Sequence, residues 1–155
     1  MELARNLRVD SVSRLRPTAP LQVTVEQTVA DAVALMRRHR VGCVLVCSGE
    51  RVVGIFTERD YLRRVLAVGA SLSQKIAACM TADPVVVDPK ESIRAALRRM
   101  EEGGYRHLPV VDDAGRPVGI LSVKRIVHYL VEHFPSTVHN QPPDPGHFPQ
   151  RAEGA

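Results

Sequence analysis

Shifted by 64 positions, the first half of this sequence falls on the second with no gap over a long stretch. Pro20 lands on Pro84, Val23 on Val87, Thr28 on Ser92, Val29 on Ile93, Ala32 on Ala96, Val33 on Leu97 and Met36 on Met100. Val44 then lands on Leu108 and Val46 on Val110. One extra residue enters near Asp113 and Ala114, and from there the shift is 65: Arg51-Val52-Val53-Gly54-Ile55 matches Arg116-Pro117-Val118-Gly119-Ile120. A repeat this long confines the chain to two copies of one supersecondary unit. Neither copy can bury its apolar sheet face alone, so the two are expected to pack on each other.

Each half carries the same local signals. An extended piece around Val23 or Val87 runs into a helix opened by Thr28 or Ser92 as N-cap. Val29, Ala32, Val33, Met36 and Ile93, Ala96, Leu97, Met100 fall at i, i+3, i+4, i+7, one helical face. Two apolar runs follow, separated by Ser48-Gly49-Glu50 in one half and Asp112-Asp113-Ala114-Gly115 in the other, which predicts a β-hairpin. A closing helix is expected on Tyr61, Leu62, Val65, Leu66 and on Val123, Ile126, Val127, Leu130, Val131, Phe134. The reading is an α+β chain of two β-α-β-β-α repeats with pseudo-twofold symmetry. Their boundaries are 11–70 and 71–134, with residues 69–80 linking the halves. From Pro135 to residue 155, five prolines and no periodicity predict a tail with little core of its own.

Composition narrows the function class. At 155 residues, 45% apolar and 25% charged, the chain matches an ordinary globular domain. The best apolar run, Val41 to Cys47, falls far short of the ~20 residues that span a bilayer, so no membrane partner is expected. Glu2, Arg5 and Arg8 interrupt any apolar N-terminal stretch, so no signal peptide is expected and the chain is placed in the cytoplasm. Cys43, Cys47 and Cys79 have no metal-ligand spacing and read as small buried hydrophobes. With only Lys75, Lys90 and Lys124 as lysines, 18 of the 21 cationic side chains are arginine, the residue suited to planar contacts with phosphate and carboxylate. The cations are dispersed and aromatics are scarce, so nucleic acid is not expected as a partner. No Gly-rich phosphate loop, nucleophile–base set or metal cluster is found, and no catalytic activity is expected.

The phrases Val53-Gly54-Ile55-Phe56-Thr57-Glu58-Arg59-Asp60, Arg106-His107-Leu108-Pro109-Val110-Val111-Asp112 and Val118-Gly119-Ile120-Leu121-Ser122 resemble the CBS family. The resemblance covers residues 11–134 and implies a tandem CBS pair, or Bateman module, that commonly assembles as a homodimer. It further implies a nucleotide in the cleft between the motifs, its ribose held by the aspartate of a T/S-x-x-D sequence. Thr57-x-x-Asp60 matches that sequence at the start of the closing helix. There, free N–H groups favour a phosphate and a carboxylate can accept two ribose hydroxyls. The same four residues also read as a capping box, which needs no ligand.

The second copy departs from the pattern. Its matching stretch is Ser122-Val123-Lys124-Arg125, and a guanidinium, with donors only, cannot hold a ribose as Asp60 would. In its site pattern the chain is similar to the nucleotide-sensing γ subunit of AMP-activated kinase, where such a lysine serves the neighbouring site. By that resemblance Lys124, Arg106 and His107 contact the phosphate, while Ile55, Val85 and Val86 pack the adenine and the Arg125 site stays empty. The first copy has Gly42-Cys43 where the second has Arg106-His107, so both signals point to one equipped site. The implied ligand is an adenine nucleotide (AMP, ADP or ATP), with AMP expected first and no catalytic cofactor, read by an unknown regulated protein. The alternatives are a sensor of NAD or S-adenosylmethionine, or a structural, interaction or nucleic-acid-associated module without a small ligand.

Overall fold

The computed structural model describes residues 2–135. Helix α1 (Glu2–Val9) leads into a 3-10 turn (Val12–Leu15). The first repeat contains β1 (Gln22–Thr24), α2 (Val29–His39), the hairpin β2 (Cys43–Ser48) and β3 (Arg51–Thr57), then α3 (Glu58–Asp60). A π-helical stretch, Tyr61–Leu66, continues α3. After a second 3-10 turn (Ile76–Ala78) come β4 (Thr81–Ala82), α4 (Ile93–Gly103), β5 (His107–Val111), β6 (Pro117–Ser122) and α5 (Val123–His133). The chain is α+β, with two repeats of one unit. The tail expected after Pro135 lies outside the described residues.

The helices begin where their cap residues dictate. The Thr28 hydroxyl accepts the Asp31 N–H at 3.2 Å while the Asp31 carboxylate accepts the Thr28 N–H at 2.9 Å, a complete capping box. Ser92 accepts the Ala95 N–H at 3.1 Å. Both hairpins turn through a glycine with positive φ, Gly49 at 59° and Gly115 at 79°, where a side chain would strain the backbone. Both also bulge at the same place, between Val46 and Cys47 and between Val110 and Val111.

Sheet pairing follows the repeat but crosses between its copies. The first sheet runs β1-β2-β3-β4, with β1 parallel to β2 and the rest antiparallel. Around the β5–β6 hairpin, Val87 bridges Val110 in parallel and Thr18 bridges Ile120 antiparallel. Val23 opposite Val46 thus has its counterpart in Val87 opposite Val110. Each hairpin's outer edge comes from the segment that precedes the other repeat.

The cores are exchanged in the same sense. Val23, Val29, Ala32, Met36, Phe56 and Val65 pack with Ile76 and Cys79 from the linker. Val87, Ile93, Ala96, Leu108, Leu121 and Tyr129 pack with Val12 and Leu15 from the N-terminal turn. At the repeat shift Val12 is the counterpart of Ile76 and Leu15 of Cys79. Residues 69–80, expected to be only a link, therefore supply core side chains. Helix α1, unforeseen in the sequence, lays Leu3 and Leu7 on the second core. Cys43, Leu45, Ile55 and Ile120 form a third cluster between the two hairpins.

The closing helices bury less of their apolar stripe than its spacing suggests. Val65, Ile126 and Phe134 meet the core, joined by Tyr129, which the stripe had omitted. Leu62 (58% exposed), Leu66 (54%) and Val127 (51%) lie on the other edge of the stripe and face solvent.

Candidate functional site

Strand β3 delivers its last residue, Thr57, in extended conformation directly to the start of α3. The Asp60 N–H donates to Thr57 Oγ1 at 3.2 Å, while the Thr57 N–H and hydroxyl donate to Asp60 Oδ2 at 3.0 and 3.1 Å. On the other oxygen, the Thr81 hydroxyl donates to Oδ1 at 3.0 Å and Arg64 Nε stands 3.6 Å away. Asp60 is 8% exposed, and among the described residues no other charged side chain is so deeply withdrawn from water. A carboxylate is tolerable there because these donors replace its hydration. Oδ2 is occupied by the cap, whereas Oδ1 keeps room for a further donor.

The Asp60 carboxylate lies in a cleft of about 440 Å³ between the first repeat and the beginning of the second. That volume is within the ~300–1,000 Å³ usual for small-molecule sites. The cleft brings together Ile55, Thr57, Asp60, Val85, Arg106 and His107. It does not bring in Val86 or Lys124. Val85 is 39% exposed at the cleft, while Val86 is half-buried and its carbonyl accepts from Arg99 at 2.8 Å. Lys124 is the counterpart of Arg59 at the 65-residue shift. Arg59 lines this cleft and Lys124 does not, although the neighbouring Val123 N–H donates to the carbonyl of Arg106 at 3.0 Å.

Residues not singled out in the sequence join the lining: Arg59, Arg63 and Arg64 from the closing helix, Thr81 and Asp83 from the start of the second repeat, and Tyr105. The signal for two of them was spacing, since Arg64 follows Asp60, and Arg63 follows Arg59, by one helical turn. Arg59 donates to the Gly104 carbonyl at 3.1 Å, across the seam between repeats, and Arg64 donates to the Met80 carbonyl. Neither Arg63 nor Arg106 has a side-chain partner among the described residues. Four arginines thus face three carboxylates (Glu58, Asp60, Asp83), and two of the four are uncommitted. The first-turn N–H groups are less available than the sequence implied. Glu58 N–H donates to the Gly42 carbonyl at 3.0 Å and Asp60 N–H to Thr57, so anion recognition falls to the side chains.

Burial lowers the His107 pKa below its ordinary value, against an opposing pull from Glu58, and Arg106 lowers it further. The ring is therefore neutral at pH 7. Burial, with a smaller contribution from Glu58, pushes the Cys43 thiol up to about 12, so it stays protonated and is no nucleophile. Among the described residues no group of three or more His, Cys, Asp or Glu could hold a metal ion, and no helix is long and apolar enough to cross a membrane.

Two α+β repeats that exchange edges around a basic cleft beside a buried aspartate define a tandem-repeat module. The chain belongs to the CBS domain family, which matches residues 12–67 and 75–132. It is similar to the CBS domain-containing protein CBSX3, mitochondrial, of Arabidopsis thaliana, at 38% identity over 120 residues. That match covers 73% of this chain but 58% of the relative, so the chain spans less than two thirds of it. Among solved structures it is similar in fold to the CBS domain protein PAE2072 of Pyrobaculum aerophilum, complexed with AMP. There the TM-score is 0.71 at 23% identity, covering 79% of this chain and 99% of the other. The CBS domain pair of protein MJ0100, in complex with 5-methylthioadenosine and S-adenosyl-L-methionine, gives a TM-score of 0.72 at 21% identity, covering 78% and 99%.

Proposed function

We propose that the cleft binds an adenine nucleotide as a regulatory ligand and that the chain is a non-catalytic sensor. The observation that carries this reading is the buried Asp60 carboxylate, in a cleft with two uncommitted arginines. Among the described residues its Oδ1 accepts a hydrogen bond only from the Thr81 hydroxyl. A ribose hydroxyl donates to Oδ1, and its neighbour takes the place of the Thr81 hydroxyl. Thr57 holds Asp60 rather than touching the phosphate, since its hydroxyl is already engaged at both donor and acceptor. Ile55 and Val85 offer apolar surface to the adenine. A monophosphate carries a charge near −2, which the Arg63 and Arg106 guanidinium groups match, so AMP is the adenylate that fits best. The structure of a relative's fold with AMP bound is consistent with that class of ligand.

The cleft draws Asp60 from one repeat and Arg106 and His107 from the other. A ligand held by both biases their relative orientation, and that bias is what a partner protein reads. In place of an activated nucleophile, the cleft holds a carboxylate committed to its own cap, arginines and a neutral histidine. The competing reading is a basic surface that attracts polyanions without a defined site. Thermal stabilisation by AMP, ATP, NAD and S-adenosylmethionine, measured at low and at physiological salt, separates them. A specific adenylate keeps its effect at the higher salt, while a diffuse polyanion contact loses it.

His107 gives a pH signature. Its lowered pKa means the folded state resists protonation, so stability is unaffected above the unfolded value of ~6.5 and is lost as pH falls below it. A phosphate dianion beside the ring reverses the preference, so binding is coupled to proton uptake at the ring. Calorimetric titrations in two buffers of different ionisation enthalpy should show more uptake for the parent chain than for His107→Gln. Equal uptake in both would remove His107 from the phosphate site.

Leu62, Leu66 and Val127 leave exposed apolar side chains on the two closing helices, uncovered among the described residues. In this reading they seat a second copy, and light scattering at tens of micromolar should return the mass of a dimer. A monomer mass contradicts it.

A further inference from the structure

A second hollow, of about 500 Å³, lies on the opposite repeat between the Val12–Leu15 turn and α5. Its walls carry Arg14 and Arg16 from the turn and Arg125, His128 and His133 from the helix, with Glu132 the one carboxylate among the lining residues. Two of these charges are already spoken for. Arg14 pairs with Asp10 at 3.3 Å, and Asp10 takes its other bond from the Tyr129 hydroxyl; Glu132 pairs with His128 at 3.1 Å. Arg16 and Arg125 are left on opposite walls with no carboxylate partner among the described residues.

The other half of the molecule supplies an internal control. At the repeat shift, the same positions are Ala78 for Arg14, Met80 for Arg16, Asp60 for Arg125, Ala67 for Glu132 and Val68 for His133. In that half Arg64 donates to the Met80 carbonyl and lies beside Asp60. In this half Tyr129 replaces Arg64, its ring stacked on His133 with centroids 4.4 Å apart. The two halves share one backbone plan, and the three arginines here replace Ala78, Met80 and Asp60, while His128 stands where the other half has Arg63. The hollow only partly overlaps the counterpart of the nucleotide cleft. Arg125, His128 and Tyr129 match Asp60, Arg63 and Arg64, but Ile120 and Ser122, the matches of Ile55 and Thr57, do not line it. Ser13 to Arg16 match residues 77–80, which do not line the nucleotide cleft.

We propose that this hollow binds a phosphate group, free or ester-borne, through Arg16 and Arg125. Each guanidinium offers a planar fork that fits two phosphate oxygens, and the walls stand as donors facing a common space. A nucleoside is not the determinant. The only apolar lining side chains, Leu15 and Tyr129, are each 3% exposed and give a base no platform, and no carboxylate replaces Asp60 to accept a ribose diol.

The test uses the full chain at constant ionic strength, titrated with inorganic pyrophosphate and separately with AMP, followed by thermal shift and calorimetry. Pyrophosphate is expected to bind saturably. Arg16→Gln and Arg125→Gln should each weaken it about tenfold or more without lowering the melting temperature of the unliganded chain, and Asp60→Asn should leave it unchanged. Competition by a sugar phosphate would assign an ester-borne source, and its failure would leave the free anion. Unsaturable binding, or binding untouched in the Arg16→Gln/Arg125→Gln double variant, overturns the proposal. Loss on Asp60→Asn alone would place the pyrophosphate in the nucleotide cleft and equally overturn it. The proposal stands apart from the nucleotide reading, since absence of AMP binding leaves it intact.

Discussion

Leu15→Ala should be among the most damaging single changes in the chain, although residue 15 precedes the first repeat's own strand. Its side chain is 3% exposed in the core of the second repeat, packed with Val87, Ile93, Leu108 and Tyr129. Removing a buried leucine to alanine costs about 2–5 kcal/mol, against a total stability of roughly 5–15 kcal/mol for a domain. The melting temperature should fall by on the order of 10 °C for a chain this size. Cys79→Ala, at the matching position of the other core, removes a smaller group and should cost roughly 1 kcal/mol. Val9→Ala, 73% exposed, should change stability by less than about 0.5 kcal/mol. Deleting residues 1–18 goes further. It removes Val12, the Thr18–Ile120 bridge and the bonds from Val12 N–H to the Glu91 carbonyl (2.8 Å) and from Ser13 N–H to the Pro89 carbonyl (3.0 Å). Thermal melts followed by circular dichroism decide the matter. If Leu15→Ala melts like the parent, the exchanged packing is wrong.

The second large effect is on ligand-dependent stability. AMP at about one hundred times its dissociation constant should stabilise the folded chain by about 2.7 kcal/mol, a shift of several degrees. Asp60→Ala should remove nearly all of that shift. Its cost to the unliganded protein is set by the cap. The carboxylate accepts from the Thr57 N–H, the Thr57 hydroxyl and the Thr81 hydroxyl, and losing an N-terminal cap interaction costs about 0.5–2 kcal/mol. Asp60→Asn keeps an acceptor oxygen for the cap and loses the charge, so it should fold more nearly like the parent while binding AMP far more weakly. Arg125→Ala should leave the AMP shift nearly intact, because Arg125 does not line the cleft. A variant at Asp60 that retains the full shift would return the residue to a purely structural role.

Much of this architecture could be read from the chain because its signals are periodic and duplicated. Thr28 and Ser92 announce helix starts by cap chemistry, and the i, i+3, i+4 stripes behind them face the cores as expected. Asp60 was legible for a different reason, a carboxylate three residues after a strand-ending threonine. The exchange of edges was not, because Val12–Leu15 and Ile76–Ala78 are single turns, too short to show a period. Arg59, Arg63 and Arg64 were missed because, on a short helix with acidic neighbours, arginines at those positions look like solvated surface. Lys124 was drawn toward the cleft by likeness to another protein. It is not among the residues that line the cleft, where its repeat counterpart Arg59 is. Leu62 and Leu66 belong to the apolar stripe that predicts the closing helix, but period alone does not say how much of such a stripe the chain itself will cover.

The central claim is a single adenylate site per chain built on Asp60. Calorimetric titration of the 155-residue chain with AMP at physiological salt, repeated on Asp60→Asn, tests it most directly. One site per chain in the parent and at least a hundredfold weaker binding in the variant is the expected result. Two equivalent sites, no heat of binding, or an Asp60→Asn isotherm that overlays the parent contradicts the account.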